Sequence, residues 1–161
     1  MGRGFAKSCG WVRTPAMGSG ARCAAGRRLT AAYQLLPRKI KIVLSRDLPE
    51  ELDLSAQDRV YADLECRFEG GARLSVAVST MPDWKYFESR PVFLKPGRNR
   101  VFFDLRAPTW KTGEQVPEGQ TEFCRRIANP DAVRRMTLLL YPIQPEGAVS
   151  LDRIEFRAKP R

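Results

Sequence analysis

The chain has no histidine and no Cys-x-x-Cys pair. Without His there is no Ser-His or Cys-His nucleophile pair, and no mixed Cys/His zinc site can form. A Gly-x-Ser-x-Gly elbow, a Gly-rich phosphate loop and a metal-binding triad are missing as well. No apolar run is long enough to span a bilayer. Charges interrupt every apolar stretch of the first forty residues before a secretory h-region forms. These absences exclude the common hydrolases, nucleotide-dependent enzymes and helical membrane proteins.

Acidic residues are missing from one region only. Residues 1–46 hold Arg3, Lys7, Arg13, Arg22, Arg27, Arg28, Arg38, Lys39, Lys41 and Arg46 without a single Asp or Glu. The remaining 18 basic residues are matched by 18 acidic ones, so the formal charge of +10 belongs to this segment and the body is neutral. No basic stripe interleaved with aromatics continues into the body, which argues against a dedicated nucleic-acid domain. Residues 1–28 show no hydrophobic period and are rich in Gly, Ala and Arg, so they are expected to be a disordered basic leader. The folded domain is expected over 29–161. The leader is acid-free and Arg-rich, as transit peptides are, and carries a twin arginine at Arg27-Arg28, but neither address is complete.

What is present is strand alternation. Ile40, Ile42 and Leu44 line one side of a first strand. Asp47 to Asp58 reads as a turn-rich connection with a helical turn at Pro49-Glu50-Glu51-Leu52. Val60, Ala62, Leu64, Cys66 and Phe68 then alternate with Tyr61, Asp63, Glu65 and Arg67, the period of a sheet with one buried face. Gly70-Gly71 predicts a hairpin into Leu74, Val76 and Val78, with Arg73, Ser75, Ala77 and Ser79 outward. Met81 to Arg90 reads as a loop or irregular strand. Val92–Leu94 is a short strand, and Asn99–Arg106 another, with Val101, Phe103 and Leu105 on one side.

Residues 107–128 form a long connection. Asn129-Pro130-Asp131 reads as the start of one helical turn through Arg135. Thr137–Ile143 is apolar on both faces, as a central strand covered on both sides should be. The last strand carries Val149, Leu151, Ile154 and Phe156, with a slip in parity at Asp152-Arg153 that predicts a β-bulge. Twelve Gly and twelve Pro fit many turns. The fold class predicted is all-β, an antiparallel two-sheet β-sandwich of jelly-roll type.

Three stretches carry a family resemblance: Asp53-Leu54-Ser55-Ala56-Gln57-Asp58-Arg59-Val60, then Leu94-Lys95-Pro96-Gly97-Arg98-Asn99-Arg100-Val101-Phe102-Phe103-Asp104-Leu105, then Gly147-Ala148-Val149-Ser150-Leu151-Asp152-Arg153-Ile154. In order and spacing they resemble bacterial carbohydrate-binding-module-like, galactose-binding-like jelly-roll domains. The resemblance covers roughly residues 45–157 and implies a binding module. Secretion or a periplasmic location is implied by it alone. Such domains usually have one or two further strands ahead of the Asp-Leu-Ser turn, where this chain has a short basic stretch. That difference puts the N-terminal edge of the sandwich in question.

Under that reading the ligand-binding candidates are Trp84, Tyr86, Trp110 and Arg100. Flat aromatic faces suit the C–H face of a pyranose and polar groups read its hydroxyls. The alternative for the aromatics is that they fold back to cover sheet surface. Asp152 could be one ligand of a structural calcium, with Asp47 and Asp53 as partners, or a bulge residue satisfying backbone groups. Asn99 is expected to fix its turn. Cys66 and Cys124 could pair as a disulfide or stay free. No other cofactor is called for. Asp63, Glu65 and Asp104 could share a face by chance, which does not make a catalytic pair, and the reading is non-catalytic. A carbohydrate ligand is therefore expected; the other option is a protein-interaction or structural sandwich without a small ligand.

Overall fold

The computed structural model describes residues 41–144 and 146–158, together with three short strands nearer the N-terminus. In chain order the strands are β1 (Val12–Arg13), β2 (Ala21–Cys23), β3 (Leu29–Gln34), β4 (Ile42–Leu52), β5 (Arg59–Cys66), β6 (Ala72–Thr80), β7 (Lys85–Ser89), β8 (Val92–Leu94), β9 (Gly97–Asp104), β10 (Trp110–Lys111), β11 (Val133–Pro142) and β12 (Glu146–Arg157). There is no helix among the described residues. Most of the expected leader, 1–28, lies outside them; β1 and β2 fall within it and pair with β4 and β3. Ile40 also lies outside.

The strands form two antiparallel sheets. Sheet A runs β1-β4-β11-β6-β7-β10, with β8 also paired to β6, and sheet B runs β2-β3-β12-β5-β9. Their inner faces meet in one core. Sheet A contributes Leu44, Leu74, Val76, Val78, Phe87, Met136, Leu138 and Leu140; sheet B contributes Val60, Ala62, Leu64, Cys66, Phe103, Val149 and Ile154. This is the predicted sandwich. β5 shows the expected alternation. β11 is buried on both faces from Met136 to Leu140, whereas Tyr141 and Pro142 are half-buried and Ile143, expected in this strand, lies beyond it and is exposed. β12 shifts register between Leu151 and Arg153, where the bulge was predicted. Cys66 and Cys124 are free thiols, and burial pushes the Cys66 thiol up from its ordinary value.

Three local expectations are overturned. Gly70-Gly71 is not a hairpin turn: β5 lies in sheet B and β6 in sheet A, so the chain here crosses between the layers. Two strands with apolar alternation bury the same faces whether they are neighbours in one sheet or face each other across a core. The pattern fixes the face and not the partner. Asp47–Asp58 is not mainly a connection, because β4 continues to Leu52 and buries Leu48. Arg46 and Glu50 interrupt its apolar alternation, and Pro49 falls where the β4–β11 register shifts, so its missing N–H breaks no regular ladder.

The Asn129-Pro130-Asp131 segment makes no helical turn. Asn129 has φ 51° and the Ala132 N–H closes a turn on its carbonyl at 3.0 Å. Its amide donates to the Met81 carbonyl at 2.9 Å, joining this turn to the one before β7. Long-range pairing has overridden a sequence signal for a helix start.

The crossing at Gly71 has little room. Its φ is 78°, and a Cβ there would stand 2.4 Å from the Leu94 carbonyl oxygen and 2.7 Å from the Phe93 ring. Left-handed backbone and backbone overlap act together, so Gly71→Ala is expected to destabilise the domain by about 2–4 kcal/mol. Urea unfolding checks it: a shift in midpoint below that range would mean that the crossing can rearrange.

Candidate functional site

Alternation on β6 and β11 creates a second surface as well as the core. When Leu74, Val76 and Val78 point inward, Arg73, Ser75, Ala77 and Ser79 point outward, and on β11 the outward set is Arg135, Thr137, Leu139 and Tyr141. Strand register arranges these in rows across sheet A. One row is Asp47, Arg135, Ser79 and Tyr86; the next is Ser45, Thr137, Ala77, Glu88 and Lys111. Then follow Val43, Leu139 and Ser75, and at the far end Tyr141, Arg73 and Phe93.

This outer face is not an ordinary wet surface. Ser75 and Ala77 are 0% exposed, Leu139 2% and Glu88 4%. Part of the cover comes from the tyrosines. The Tyr86 hydroxyl donates to Glu88 Oε2 at 2.8 Å, and the Tyr141 hydroxyl donates to Glu88 Oε1 at 2.8 Å. Tyr141 stands on β11 and Glu88 on β7, with β6 between them, so the Tyr141 side chain crosses over β6. The small outward residues of β6 leave it space.

Lys111 Nζ is 3.4 Å from the same Oε1 and 3.8 Å from Glu122, and lies 5.1 Å from the centre of the Phe123 ring. The connection after β10 therefore folds against this edge of the face. Burial, followed by the hydrogen bonds to Glu88, pushes both phenols above their ordinary value.

At the other end Arg135 forms a two-toothed ion pair with Asp47, its Nη2 lying 3.2 Å from Oδ2. The hydrogen bond from Arg135 holds the Asp47 carboxyl below its ordinary value. The same guanidinium lies 5.1 Å from the Trp84 ring centre. Trp84 is 44% exposed and has φ 52°, a left-handed backbone that a bulky side chain seldom adopts.

Of the four candidates read from sequence, Trp84 and Tyr86 meet on this face. Trp110 does not: it is 0% exposed, packs in the core, and its Nε1 donates to the Asp104 carbonyl at 3.0 Å. Its expected ligand role is corrected to a structural one, because no ring face is left to a ligand. Arg100 is on the outer face of the opposite sheet, paired with Asp63 at 3.0 Å and Glu155 at 3.3 Å and lying 5.0 Å from the Tyr61 ring. It cannot join Trp84 in one site.

The acids considered for catalysis are also engaged. Asp63 holds Arg100 and Arg153, Glu65 holds Arg67, and Asp104 accepts the backbone N–H groups of Arg106 and Ala107. The calcium set is not assembled. Asp47 lies on sheet A with Arg135, Asp53 accepts from Ser55, and Asp152 is on sheet B; among the described residues no three metal-ligating side chains gather. Asn99 fixes its turn, donating to the Lys95 and Gly97 carbonyls and accepting the Lys95 N–H.

Glu88, Arg135, Lys111 and Tyr141 were not singled out as site residues from sequence; Tyr141 fell within Thr137–Ile143, expected to be covered on both faces. The reading of Met81–Arg90 as irregular hid β7, and with it the alternation that sets Tyr86 and Glu88 on one face.

No protein-family model matches the chain, and no curated protein does. Solved structures do. The family 11 carbohydrate-binding module of the cellulosomal cellulase Lic26A-Cel5E of Clostridium thermocellum superposes with a TM-score of 0.65 at 11% identity, covering 99% of this chain and 95% of that one. The same family's module in complex with a β-1,3-1,4-mixed-linked tetrasaccharide gives 0.61 at 14% identity, covering 96% and 92%. A carbohydrate-binding module of family 28, described as specific for non-crystalline cellulose, gives 0.59 at 12%, covering 92% and 87%. Against the much longer PfGH50B the TM-score is 0.60 at 12% identity, and the match spans 84% of this chain but 21% of that one. At these identities the likeness is one of fold: the chain shares the two-sheet jelly-roll sandwich of these modules.

Proposed function

We propose that this chain is a non-catalytic carbohydrate-binding domain and that the glycan lies on the outer face of sheet A, between Trp84 and Tyr141. One observation carries the reading. A tryptophan occupies a left-handed position that glycine or asparagine would fill without strain, at a cost of about 1 kcal/mol, and it leaves nearly half its surface in water. The core does not require a half-exposed aromatic in a strained backbone, and such a ring suits a platform for the C–H face of a sugar. Beside it, Arg135, Tyr86, Tyr141 and Lys111 supply polar groups fixed by Asp47 and Glu88. The fold likeness to carbohydrate-binding modules supports the same reading.

The test is pull-down and affinity electrophoresis of the full chain on insoluble cellulose, mixed-linkage β-glucan and agarose. Trp84→Gly is expected to weaken binding at least about tenfold. Its unfolding midpoint should stay nearly unchanged, since relief of the backbone offsets loss of the Arg135 contact, each about 1 kcal/mol. Unaltered binding by this variant would move the site elsewhere. No polysaccharide bound by the intact chain would leave a protein-interaction or structural sandwich.

The tyrosines give the domain an alkaline limit. Their pKa values are raised in the folded state, so the stability they contribute is complete below the unfolded phenol value, about 10. It is lost as pH rises above that, because the unfolded chain ionises there while the native phenols stay protonated. Thermal melts between pH 8 and 11 should show a steeper fall for the native chain than for a Tyr86→Phe, Tyr141→Phe variant. Parallel curves would show that the phenols titrate as free tyrosines.

A further inference from the structure

We infer that Glu88 is a positioning residue that sets the hydrogen-bond polarity of the face: it takes the protons of both phenols, so that Tyr86 and Tyr141 meet a ligand as acceptors. The group they select is then a hydroxyl or another donor, and sulfate and carboxylate groups are turned away. This rests on the reading of the face as a glycan site.

A phenol has one proton and two lone pairs, and a carboxylate offers acceptors alone. Each hydroxyl spends its proton on a different oxygen of Glu88, at 2.8 Å in both cases. What remains at each phenol is lone-pair density. The two cations nearest the centre are engaged as well, Lys111 with Glu88 and Glu122, and Arg135 with Asp47 and the Trp84 ring. Arg73 lies at the far end, across from Tyr141.

An anionic group placed between the phenols would oppose lone pair to lone pair beside a carboxylate that is itself 4% exposed, with little water to screen it. A sugar hydroxyl donates into the same place. A glutamine at position 88 would break this arrangement. Its carbonyl still accepts from one phenol, but its NH₂ must face the other oxygen, whose proton then turns outward as a donor.

The experiment compares the full chain and Glu88→Gln on neutral mixed-linkage β-glucan and on polygalacturonate, by calorimetry and affinity electrophoresis. Salt is kept high enough to screen the basic first 46 residues. The native chain is expected to prefer the neutral polymer at least about tenfold, and Glu88→Gln to bring that ratio close to one. A purely structural role would weaken binding to both polymers alike.

Preference of the native chain for polygalacturonate, or an unchanged ratio in Glu88→Gln, would overturn the inference and leave the glycan reading standing. Binding to neither polymer would overturn the inference, and the glycan reading would fall with it only if cellulose and agarose are not bound either. Should Glu88→Gln fail to fold, proton NMR of the native chain decides. Two exchange-protected phenolic protons are expected, one lost in Tyr86→Phe and the other in Tyr141→Phe, and their absence would refute the arrangement.

Discussion

The ladder between β6 and β11 is the constraint on which the rest of the molecule depends. Both strands lie inside sheet A, paired on each edge, and their registers run through Met136↔Val78, Leu138↔Val76 and Leu140↔Leu74. A slip of one residue on either strand would turn Thr137 and Arg135, or Ser75 and Ser79, into the core. Hydrophobic burial therefore holds the register, and the register places Tyr141 across from Arg73 and Arg135 across from Ser79. The outer face inherits its geometry from the inner one. Through β7, locked to β6 by Val78↔Phe87, the same ladder sets where Tyr86 and Glu88 stand.

Residue size along β6 does the next part of the work. Its outward residues Ser75, Ala77 and Ser79 are small, while the strands on either side carry Tyr141, Arg135, Tyr86 and Glu88. A larger side chain at Ala77 would block the path by which Tyr141 reaches Glu88 on β7. The two tyrosines, approaching one carboxylate from opposite sides, are a result of that low floor. A buried carboxylate is tolerable only when each oxygen has partners, and here Oε2 has one phenol while Oε1 has the other and the Lys111 ammonium.

Much of this was legible in the sequence because alternation is a local signal. The inward faces of β5, β6, β9 and β12, the double burial of β11 and the bulge near Asp152 all follow from which residues are apolar at period two. What the alternation cannot carry is partnership. The Gly70-Gly71 pair has the composition of a hairpin turn, yet Leu64 on β5 and Leu74 on β6 enter one core from different sheets. Trp110 shows the same limit at the site: a tryptophan in a stretch without period gives no sign of which side it faces. It is the pairing of its backbone with Ser89 on one side and Arg125 on the other that fixes its inward face. Glu88 was hidden for a further reason. An acid between Phe87 and Ser89 looks like a solvent-facing strand residue, and its partners Tyr141 and Lys111 are distant in sequence.

The two outer faces of the sandwich break local rules to different degrees, and that difference favours sheet A as the proposed glycan face. On sheet B, Tyr61 and Phe102 stand 5.7 Å apart amid Arg59, Arg100, Arg153 and Arg157, with Asp63 and Glu155 closing the ion pairs. These groups are all partly open to water, where such pairs contribute little and strain nothing. On sheet A the chain accepts a left-handed tryptophan and a carboxylate almost out of water, and does so on the side away from the core. Neither side chain belongs to the core between the sheets, and glycine or an apolar residue would meet the local demands at lower cost. Departures from local consistency that stability does not explain tend to gather where function is exercised. On this face they fall close together, with Trp84 over Arg135, which shares a row with Tyr86, and Glu88 in the next row.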